Sequence, residues 1–538
     1  MSITSIISIS SISSIISIPS IPSSHPLARG SKNTQKNINY IYTMKNIFSI
    51  ALALLLLASC HQAEVPTQYA DSKALPKIYP DYIDVTVPVN IAPLSLQLMQ
   101  DAEEVVTRYS AEGEEIVCGG RKAMPDIDDW KALAAKAAGK DITVEVFAKN
   151  GGAWTRYKPF AIHISPDSID SYISYRLIAP SYVTYEDLTI NQRNLENYEE
   201  SVIYGNMMLS TEVDGQCINC HNYQAGNPQR MQFHARHNHG GTVVAYDGKI
   251  KKVNMKNDSI LSAGVYPSWH PWLKLIAYST NKTMQSFHTR DINKIEVLDS
   301  QSDLIIYDID NNTVTNIEND STEFECYPSW SPDGKWLYYV SAHFEFRGLM
   351  SRDAESIMRA KEIKYSIYRK PFNTETLQFG PRELVFDAAA LGKSATLPRL
   401  SPDGQYLLFT MGGWGCFHIW HRDADLYMLR LADAKVWPLT KANSPMAESF
   451  HNWSSNGKWI IFSSRRTDGV YTRLFFSHVD GKGNVTKAFE LPQADPDYHR
   501  QFMKSYNVPE FMRGPVTVKP QDFADVLKND NVEPVKYK

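Results

Sequence analysis

Five consecutive residues, 217–221, carry the clearest chemistry in the chain. Cys217, Cys220 and His221 form the pattern C-x-x-C-H. Each thiol of such a pattern can add across one vinyl group of a haem, and the following histidine is then placed under the iron. The two-residue spacer sets the separation that the two vinyl groups require. We therefore predict haem c attached through Cys217 and Cys220, with His221 as the proximal iron ligand.

The segment after this pattern offers candidates for the sixth coordination position of the iron. The candidates fall within nine residues: Met231, His234, His237 and His239. A histidine would give the haem a lower potential than a methionine, because the thioether stabilises ferrous iron. We expect His234 or His239 at this position, with Met231 as the other candidate.

A haem at this position must be enclosed by parts of the chain outside the pattern. No pair of amphipathic helices brackets it, and residues 206–240 are too few to wrap a haem unaided. We expect this segment to be a loop clamped between neighbouring β-modules. Arg236 and Arg230 are candidates to pair with the haem propionates, because the planar guanidinium fork suits a carboxylate.

Two other uses of the same residues remain open. Cys217, Cys220, His234 and His239 have the spacing of a Cys2His2 zinc site. The core positions and basic helix of a zinc finger are missing, and an exported protein would have to keep both thiols reduced. A disulfide between Cys217 and Cys220 is the second alternative, and it leaves His221 without a role.

The start of the sequence is typical of an export signal. Residues 1–43 are a Ser/Ile-rich run of low complexity, which we exclude from the fold. From Met44 a short apolar stretch leads to Leu-Ala-Ser-Cys60, which is typical of a signal peptide and resembles the lipobox of bacterial lipoproteins. Acylation of Cys60 would attach the protein to a membrane. We expect it in the bacterial cell envelope, at the outer membrane.

The composition excludes several classes of protein. The chain has 538 residues, of which 43% are hydrophobic and 21% charged, as in folded soluble proteins. The 55 Lys and Arg nearly balance the 59 Asp and Glu, so no global field favours nucleic acid. Six cysteines are too few for a disulfide scaffold. At most one disulfide can form among Cys118, Cys326 and Cys416, and buried free thiols are the alternative.

One phrase recurs four times in the second half of the chain. Its copies carry Trp269, Trp330, Leu400 and Trp453 at the same position, and in three of them a Pro-Asp-Gly or Ser-Asn-Gly turn and an apolar run follow. This pattern is typical of a β-hairpin, and further strand-like runs separate the copies. Four strands per repeat predict the blades of a β-propeller, and therefore an all-β fold.

The hairpin phrase resembles the repeat of TolB-like (PD40, WD40-like) β-propellers. Together with the lipobox and the C-x-x-C-H pattern, it is similar to bacterial lipoproteins labelled TolB-like or cytochrome c biosynthesis proteins. The resemblance implies an envelope protein that carries a haem motif on a propeller. The expected order is an extension (1–43), a signal peptide (44–59), a linker (60–83), a β-rich module of sandwich or propeller strands (84–205) with one helix (130–140), the haem loop (206–240), the propeller (241–515) and a tail (516–538).

Three functions are compatible with these features. The first is electron transfer or redox sensing by an anchored haem c protein. The alternative is a propeller that binds a protein or glycan partner without catalysis, with the Cys/His segment as a zinc or disulfide clip. An enzyme is the weakest of the three, because no G-x-S-x-G nucleophile elbow and no hydrolase-sized domain follow residue 515. We expect membrane attachment through Cys60, a protein partner on the propeller face and no nucleic acid.

Overall fold

The structure is a computed structural model that describes residues 63–179, 187–211, 214–291, 293–532 and 534–538. The expected signal peptide and Cys60 lie outside the described residues. Most of the regular structure in these ranges is β-strand, which confirms the all-β fold class. None of the helices found in these ranges is long and apolar enough to cross a membrane.

Residues 70–165 form a β-module that precedes the propeller. Its elements are β1 Ala70–Asp71, β2 Ile78–Tyr79, β3 Val85–Pro88, β4 Leu96–Leu98, β5 Glu104–Ala111, β6 Glu114–Gly119, β7 Lys122–Ala123, α1 Ile127–Lys136, β8 Asp141–Asn150, β9 Ala153–Arg156 and β10 Phe160–Ser165. One sheet has the order β1-β9-β8-β10-β3, with β5 pairing both β8 and β6, and a second sheet has the order β2-β4-β7. The strands expected around residues 84, 141 and 154–165 are confirmed.

Helix α1 begins three residues earlier than the sequence pattern predicts. The carboxylate of Asp126 accepts hydrogen bonds from the backbone N–H groups of Asp128 and Asp129, and so caps the first turn. Trp130 is fully buried, and its indole N–H donates to the carbonyl of Ile91 at 3.1 Å. The cap fixes where the helix starts, and the tryptophan fixes the face that packs on the sheet.

Six blades form a ring in the described part of the chain; four of them are separate four-stranded sheets, and blades 3 and 4 belong to one ten-stranded sheet. Blade 1 contains β11 Tyr172–Ile178, β12 Thr189–Asn194 and β13 Glu200–Gly205. Blade 2 contains β14 Gln216–Tyr223, β15 Arg230–His237, β16 Gly241–Tyr246 and β17 Lys249–Val253. Blade 3 contains β18 Val265–Trp269, β19 Leu275–Phe287, β20 Ile295–Asp308 and β21 Thr313–Glu318. Blade 4 contains β22 Glu323–Trp330, β23 Trp336–His343, β24 Ser366–Asn373, β25 Gln378–Phe379 and β26 Glu383–Phe386. Blade 5 contains β27 Ser394–Leu400, β28 Tyr406–Gly412, β29 Asp425–Arg430 and β30 Lys435–Pro438. Blade 6 contains β31 Glu448–Trp453, β32 Trp459–Ser464, β33 Arg473–His478 and β34 Phe489–Glu490. The remaining elements are α2 Arg352–Met358, α3 Tyr498–Gln501, β35 Ser505–Met512, α4 Pro520–Lys528 and β36 Lys536–Tyr537.

The ring is closed by the C-terminal part of the chain. Strand β35 pairs antiparallel with β11, so the innermost strand of blade 1 comes from residues 505–512 and its other three strands from residues 172–205. The innermost strands β35, β14, β18, β22, β27 and β31 contact one another in that order, and β31 contacts β35. The protein is therefore a six-bladed propeller. The sequence left open whether residues 84–205 form a sandwich or propeller strands. The structure divides them between the separate N-terminal module and blade 1.

The last residues pack on the propeller instead of extending from it as the expected tail. Phe523 and Leu527 of α4 are fully buried in the core shared by blades 1 and 2. Strand β36 pairs with β21 at the outer edge of blade 3. Burial therefore holds α4 on the propeller, and strand pairing holds β36.

A β-bulge recurs in the innermost strand of every blade. At each bulge the register shifts and one residue adopts a positive φ of 48–56°: Cys220, Tyr266, Tyr327, Leu397, Phe450 and Val508. Positive φ is uncommon for residues other than glycine, so its repetition marks equivalent positions. Residues 220–223 and 508–511 are therefore two further copies of the repeated phrase, which sequence comparison alone did not reveal.

Blade 6 carries the N-terminal module. Trp459 is fully buried in a core shared with the module, and its indole nitrogen lies 3.2 and 3.1 Å from the carbonyl oxygens of Asp167 and Ser168. The side chain of Asp170 accepts hydrogen bonds from the backbone N–H and the hydroxyl of Ser455. Trp459 therefore links the propeller core to the segment that connects the two parts.

Replacing this tryptophan tests how strongly the module is held. We expect Trp459→Ala to lower the free energy of unfolding by about 3–5 kcal/mol, because it removes a buried aromatic ring. Trp272 is 50% exposed, and Trp272→Ala should cost about 1 kcal/mol or less. Urea unfolding followed by tryptophan fluorescence measures both. Equal losses in the two variants would contradict the role given to Trp459.

Two buried glutamates occupy equivalent positions in blades 4 and 6, two residues before the bulge. The carboxylate of Glu448 accepts hydrogen bonds from Ser444 and Ser464 and pairs with Arg466 at 3.1 Å. Both carboxylate oxygens of Glu325 are buried without a hydrogen-bond partner among the described residues. Burial and the nearby carboxylates, first that of Asp303, raise the pKa of Glu325 to about 9. Glu325 is therefore protonated at neutral pH.

The raised pKa of Glu325 predicts a pH-dependent stability. Its pKa is higher in the folded than in the unfolded protein, so the free energy of unfolding should fall as pH rises from about 5 toward 9. Glu325→Gln cannot titrate and should gain stability over the wild type as pH rises. Unfolding temperatures of both proteins between pH 5 and 8.5 measure this difference. Glu375→Gln, at an exposed glutamate, is the control, and a difference independent of pH would contradict the prediction.

Candidate functional site

The C-x-x-C-H residues lie in β14, the innermost strand of blade 2, and not in the expected loop between modules. Strands β14 and β15 pair from Gln216 to Asn219, and the bulge then displaces Cys220 and His221 from the ladder before pairing resumes at Asn222. The pattern therefore coincides with the bulge that every blade repeats. The segment is a strand because the propeller needs an innermost strand at this point of the ring.

The two thiols are free and half-buried. Cys217 lies opposite Arg236 in the β14–β15 ladder, and the side-chain amide of Asn219 donates to its sulfur at 3.4 Å. Ile218 belongs to the core between blades 1 and 2, so alternation places Cys217 and Asn219 on the side of blade 3. No disulfide joins Cys217 and Cys220.

His221 lies on the opposite side of β14, against the backbone of Val508 in blade 1. Its side chain is 1% exposed, and in the described ranges its ring has no well-formed hydrogen bond, only a weak one to the Val508 backbone. Burial, helped by the positive charge of Arg176, lowers the pKa of His221 to about 3, against a weaker opposing effect of the Val508 backbone. The imidazole is therefore neutral, which is the form that binds a metal.

His451 occupies the position equivalent to His221 in blade 6 and shows what a purely structural histidine does there. Its Nε2 lies 2.7 Å from the carbonyl oxygen of Leu397 and 3.2 Å from that of Leu408, both in blade 5. Its Nδ1 lies 3.4 Å from the hydroxyl of Thr410. The His451 ring is thus bound to the neighbouring blade through both nitrogens, whereas the His221 ring is not.

Arg176 stands in blade 1 where Thr410 stands in blade 5. Each pairs with the residue immediately before a bulge, Asn507 and Thr396 respectively. Arg176 is half-buried, and its Nε atom is buried without a hydrogen-bond partner among the described residues. Burial lowers the pKa of Arg176, and the sulfurs of Cys220 and Cys217 oppose that shift. The charge of Arg176 is therefore close enough to His221 and to both cysteines to act on them electrostatically.

Two hydroxyl groups complete this set. Ser174, two residues before Arg176 on β11, and Tyr223, two residues after His221, have buried hydroxyl oxygens that interact with each other. The rings of His221 and Tyr223 are 6.3 Å apart.

The other predicted ligands are dispersed. Met231 is fully buried in the apolar core of blades 1 and 2, whereas His234 lies on the blade 3 side of the sheet with Nδ1 3.1 Å from the hydroxyl of Thr242. Burial lowers the pKa of His234 to about 3. His239 pairs with Asp530 at 3.2 Å.

The remaining candidates are surface residues. His237 and Arg236 are exposed, and Arg230 pairs with Asp247 at 2.8 Å. In the described ranges no three His, Cys, Asp or Glu side chains gather into a metal site. The predicted zinc set of Cys217, Cys220, His234 and His239 is thus not brought together.

The donor groups at β14 fit haem c in chemistry. Two free thiols precede a neutral imidazole with only a weak hydrogen bond to the Val508 backbone, and these are the groups that haem attachment requires. In the strand conformation, however, Cys217 and His221 lie on opposite sides of β14. Attachment of one haem to this pattern therefore requires residues 217–221 to leave the extended path that they follow in the closed ring.

No family model and no curated protein matches the chain. Among solved structures, the tricorn protease is 11% identical with a TM-score of 0.31, covering 66% of this chain and 33% of its own. A prolyl endopeptidase is 12% identical with a TM-score of 0.31, covering 60% and 42%. Prolyl oligopeptidase B from Galerina marginata is 9% identical with a TM-score of 0.29, covering 74% and 62%. The chain spans less than two thirds of the length of each of these proteins. The propeller architecture is shown by the six blades of this structure and not by these matches.

Sequence reasoning missed Ser174, Arg176 and Tyr223. A signal was present, because Arg176 interrupts the strongly apolar strand Tyr172–Ile178 on the side that faces a neighbouring blade. Which residue it faces depends on the closure of the ring, so the sequence favoured the nearer Arg230 and Arg236 instead.

A pair of proline substitutions tests whether His221 is retained for structure. Pro267, Pro328, Pro398 and Pro509 follow the bulge in the other four blades, so the backbone accepts proline there. We expect His221→Pro to change the free energy of unfolding by about 1 kcal/mol or less, because the ring has only a weak hydrogen bond to lose.

His451→Pro is the matched substitution for comparison. It should cost about 1–3 kcal/mol, because the bonds to Leu397 and Leu408 are lost. Thermal or urea unfolding of both variants, each carrying Cys217→Ser and Cys220→Ser to exclude haem, measures the difference. A larger loss from His221→Pro would show that His221 is a structural residue.

Proposed function

We propose that this protein carries haem c covalently at Cys217 and Cys220, with His221 as the proximal ligand, and that it transfers or senses single electrons in the bacterial cell envelope. The observation that carries the proposal is that the buried imidazole of His221 has only a weak hydrogen bond to the Val508 backbone and follows two free thiols in the chain. The equivalent His451 is fully bound to its neighbouring blade, so the propeller does not by itself require a free ring at this position.

The haem would supply one-electron chemistry, and the residues of this chain determine its surroundings. His221 is held neutral by burial and is therefore available to bind iron without first losing a proton. The positive charge of Arg176 acts on the same site and would favour the reduced state of a bound haem.

The proposed location follows from the start of the sequence. A TolB-like lipoprotein acylated at Cys60 would hold the propeller at the outer membrane, joined through the linker at residues 60–83. The signal and the lipidation site lie outside the described residues, so support for them comes from the sequence pattern alone.

A binding scaffold is the second candidate function, and one surface favours it. The connection between β23 and β24, residues 344–365, exposes apolar side chains that a soluble surface seldom gathers: Leu349 is 80% and Met358 75% exposed, with Met350 and Ile357 nearby. A protein partner on this end of the propeller would cover them. In this alternative the residues of β14 have no redox role.

Covalent haem staining separates the two functions. The protein is produced in cells with a haem-attachment apparatus, denatured, and stained on a gel for haem peroxidase activity, with the Soret band recorded before denaturation. We expect a stained band for the wild type and none for Cys217→Ser/Cys220→Ser, because the thioether bonds cannot form.

Two further variants sharpen the test. Cys118→Ser changes a half-buried thiol in the N-terminal module and should keep the full stain. His221→Ala should keep the covalent stain but shift the Soret band, because the thioethers remain while the proximal ligand is lost. A colourless wild-type band under these conditions would refute the haem proposal and leave the binding scaffold.

A further inference from the structure

The connections between strands alternate between the two ends of the propeller. Neighbouring strands of a blade are antiparallel, so the link from the second to the third strand lies at the same end as the link to the next blade. We call this the upper end. The lower end holds the Pro-Asp-Gly and Ser-Asn-Gly turns between the first and second strands.

Exposed apolar side chains are concentrated at the upper end. Six different connections there carry, within them or at the adjoining strand end, a large apolar side chain that is 42–80% exposed. We call these six residues the apolar rim: Met207, Phe287, Leu349, Leu391, Val470 and Met503. At the lower end, the described connections expose only Trp272 and Leu377 among large apolar side chains. Such an asymmetry marks the upper end as a surface for a membrane or a protein.

The apolar rim is distributed around the ring and is not gathered into one patch. Its members lie on the links between blades 1 and 2, 4 and 5, and 6 and 1, and on the tips of blades 3, 4 and 6. The strongest contacts of a protein interface cluster near its centre. A bilayer is a broad surface that separate apolar side chains can enter independently. The distribution of the rim therefore favours a lipid surface as its partner.

The charges near the rim are balanced. Arg500 pairs with Asp497 at 3.1 Å, and Lys282 lies 3.3 Å from Asp353. All four residues belong to connections or strand ends at the upper end. Attraction to a bilayer would therefore come from burial of apolar side chains, and salt would weaken it little.

The N-terminal module borders the same end of the propeller. The connection between β34 and β35, which carries Met503, contacts the module at two places. Asp495 accepts a hydrogen bond from the ammonium of Lys122 at 2.7 Å, and the guanidinium of Arg500 lies 3.9 Å from the sulfur of Met99. The surface of the module around Met99 and Lys122 is therefore next to the apolar rim.

The chain enters the described structure close to this surface. Ala63 packs against Gly119, where an added Cβ would lie 2.9 Å from the Ala63 Cβ, and Gly119 precedes Lys122 by three residues. Cys60 precedes Ala63 by three residues, a span of at most about 11 Å. An acyl chain on Cys60 would therefore be held near the upper end.

We propose that the upper end of the propeller rests on a lipid bilayer, with the apolar rim inserted among the lipids and the acyl chains of Cys60 in the same leaflet. The part that involves Cys60 rests on the lipoprotein assignment in the proposed function, whereas insertion of the rim does not. Lipid, and not a protein, would then cover the exposed side chains of residues 344–365.

Insertion of the rim is tested on protein without acyl chains. The mature chain, residues 60–538 with Cys60→Ser, is mixed with vesicles of phosphatidylcholine, with and without phosphatidylglycerol, and the bound fraction is measured by flotation. We expect binding to both kinds of vesicle at low and high salt. Leu349→Asp/Met503→Asp should weaken binding by about tenfold or more, because two inserted side chains become charged.

The matched control changes the two exposed apolar side chains of the lower end. Trp272→Asp/Leu377→Asp should bind vesicles as the parent protein does. Unfolding temperatures of both double variants show whether the fold is retained. Absence of vesicle binding by the parent protein would overturn the proposal and leave a protein partner for this end. Equal losses in the two double variants would overturn it as well.

The orientation is tested on the acylated full-length protein in its membrane. A photoreactive diazirine on a phospholipid acyl chain is activated, and the labelled peptides are mapped by mass spectrometry. We expect label in residues 344–365 and 491–504 and none in residues 270–274 and 374–377. Label confined to the lower end would overturn the orientation. Mass spectrometry that finds Cys60 without acyl chains would refute the lipoprotein assignment alone, because vesicle binding by the rim does not depend on it.

Discussion

The antiparallel pairing of β35 with β11 is the interaction on which the rest of this structure depends. It joins residues 505–512 to residues 172–178 and turns a row of sheets into a closed ring. Without it, blade 1 would lack its innermost strand, and blades 1 and 6 would expose strand edges and apolar faces. The burial of His221 also depends on it, because the wall against that ring is the Val508 backbone of β35. The candidate site is therefore complete only when both ends of the propeller have met.

The second constraint is the bulge that each innermost strand repeats. Where other blades have a large side chain followed by proline, blade 2 has Cys220 followed by His221, and blade 6 has Phe450 followed by His451. Blade 6 compensates for its histidine with hydrogen bonds to blade 5, whereas in blade 2 the ring has only a weak hydrogen bond to the Val508 backbone. Unsatisfied polar groups are costly in a well-packed core. The weakly bonded ring of His221 in blade 2 therefore supports the role proposed for that position.

The side of β14 on which each side chain lies determines which ligands the closed ring can hold at blade 2. His221 and Arg176 lie between blades 1 and 2, whereas Cys217 and His234 lie toward blade 3. A group bound by both thiols and by the imidazole must therefore form when this part of β14 is not a regular strand.

Local patterns in the sequence determined the β-structure, the hairpins at Trp269, Trp330, Leu400 and Trp453, and the pattern Cys217–His221 with its free thiols. These depend on turn residues, alternation and spacing within a few positions, and such signals need no distant partner. The tertiary structure alone decided the number of blades, the use of residues 172–205 and 505–512 in one sheet, and the meeting of Arg176 with His221. The physical reason is that strand pairing joins residues more than three hundred positions apart, so the neighbours of a buried side chain follow from the closure of the ring and not from adjacency in the chain.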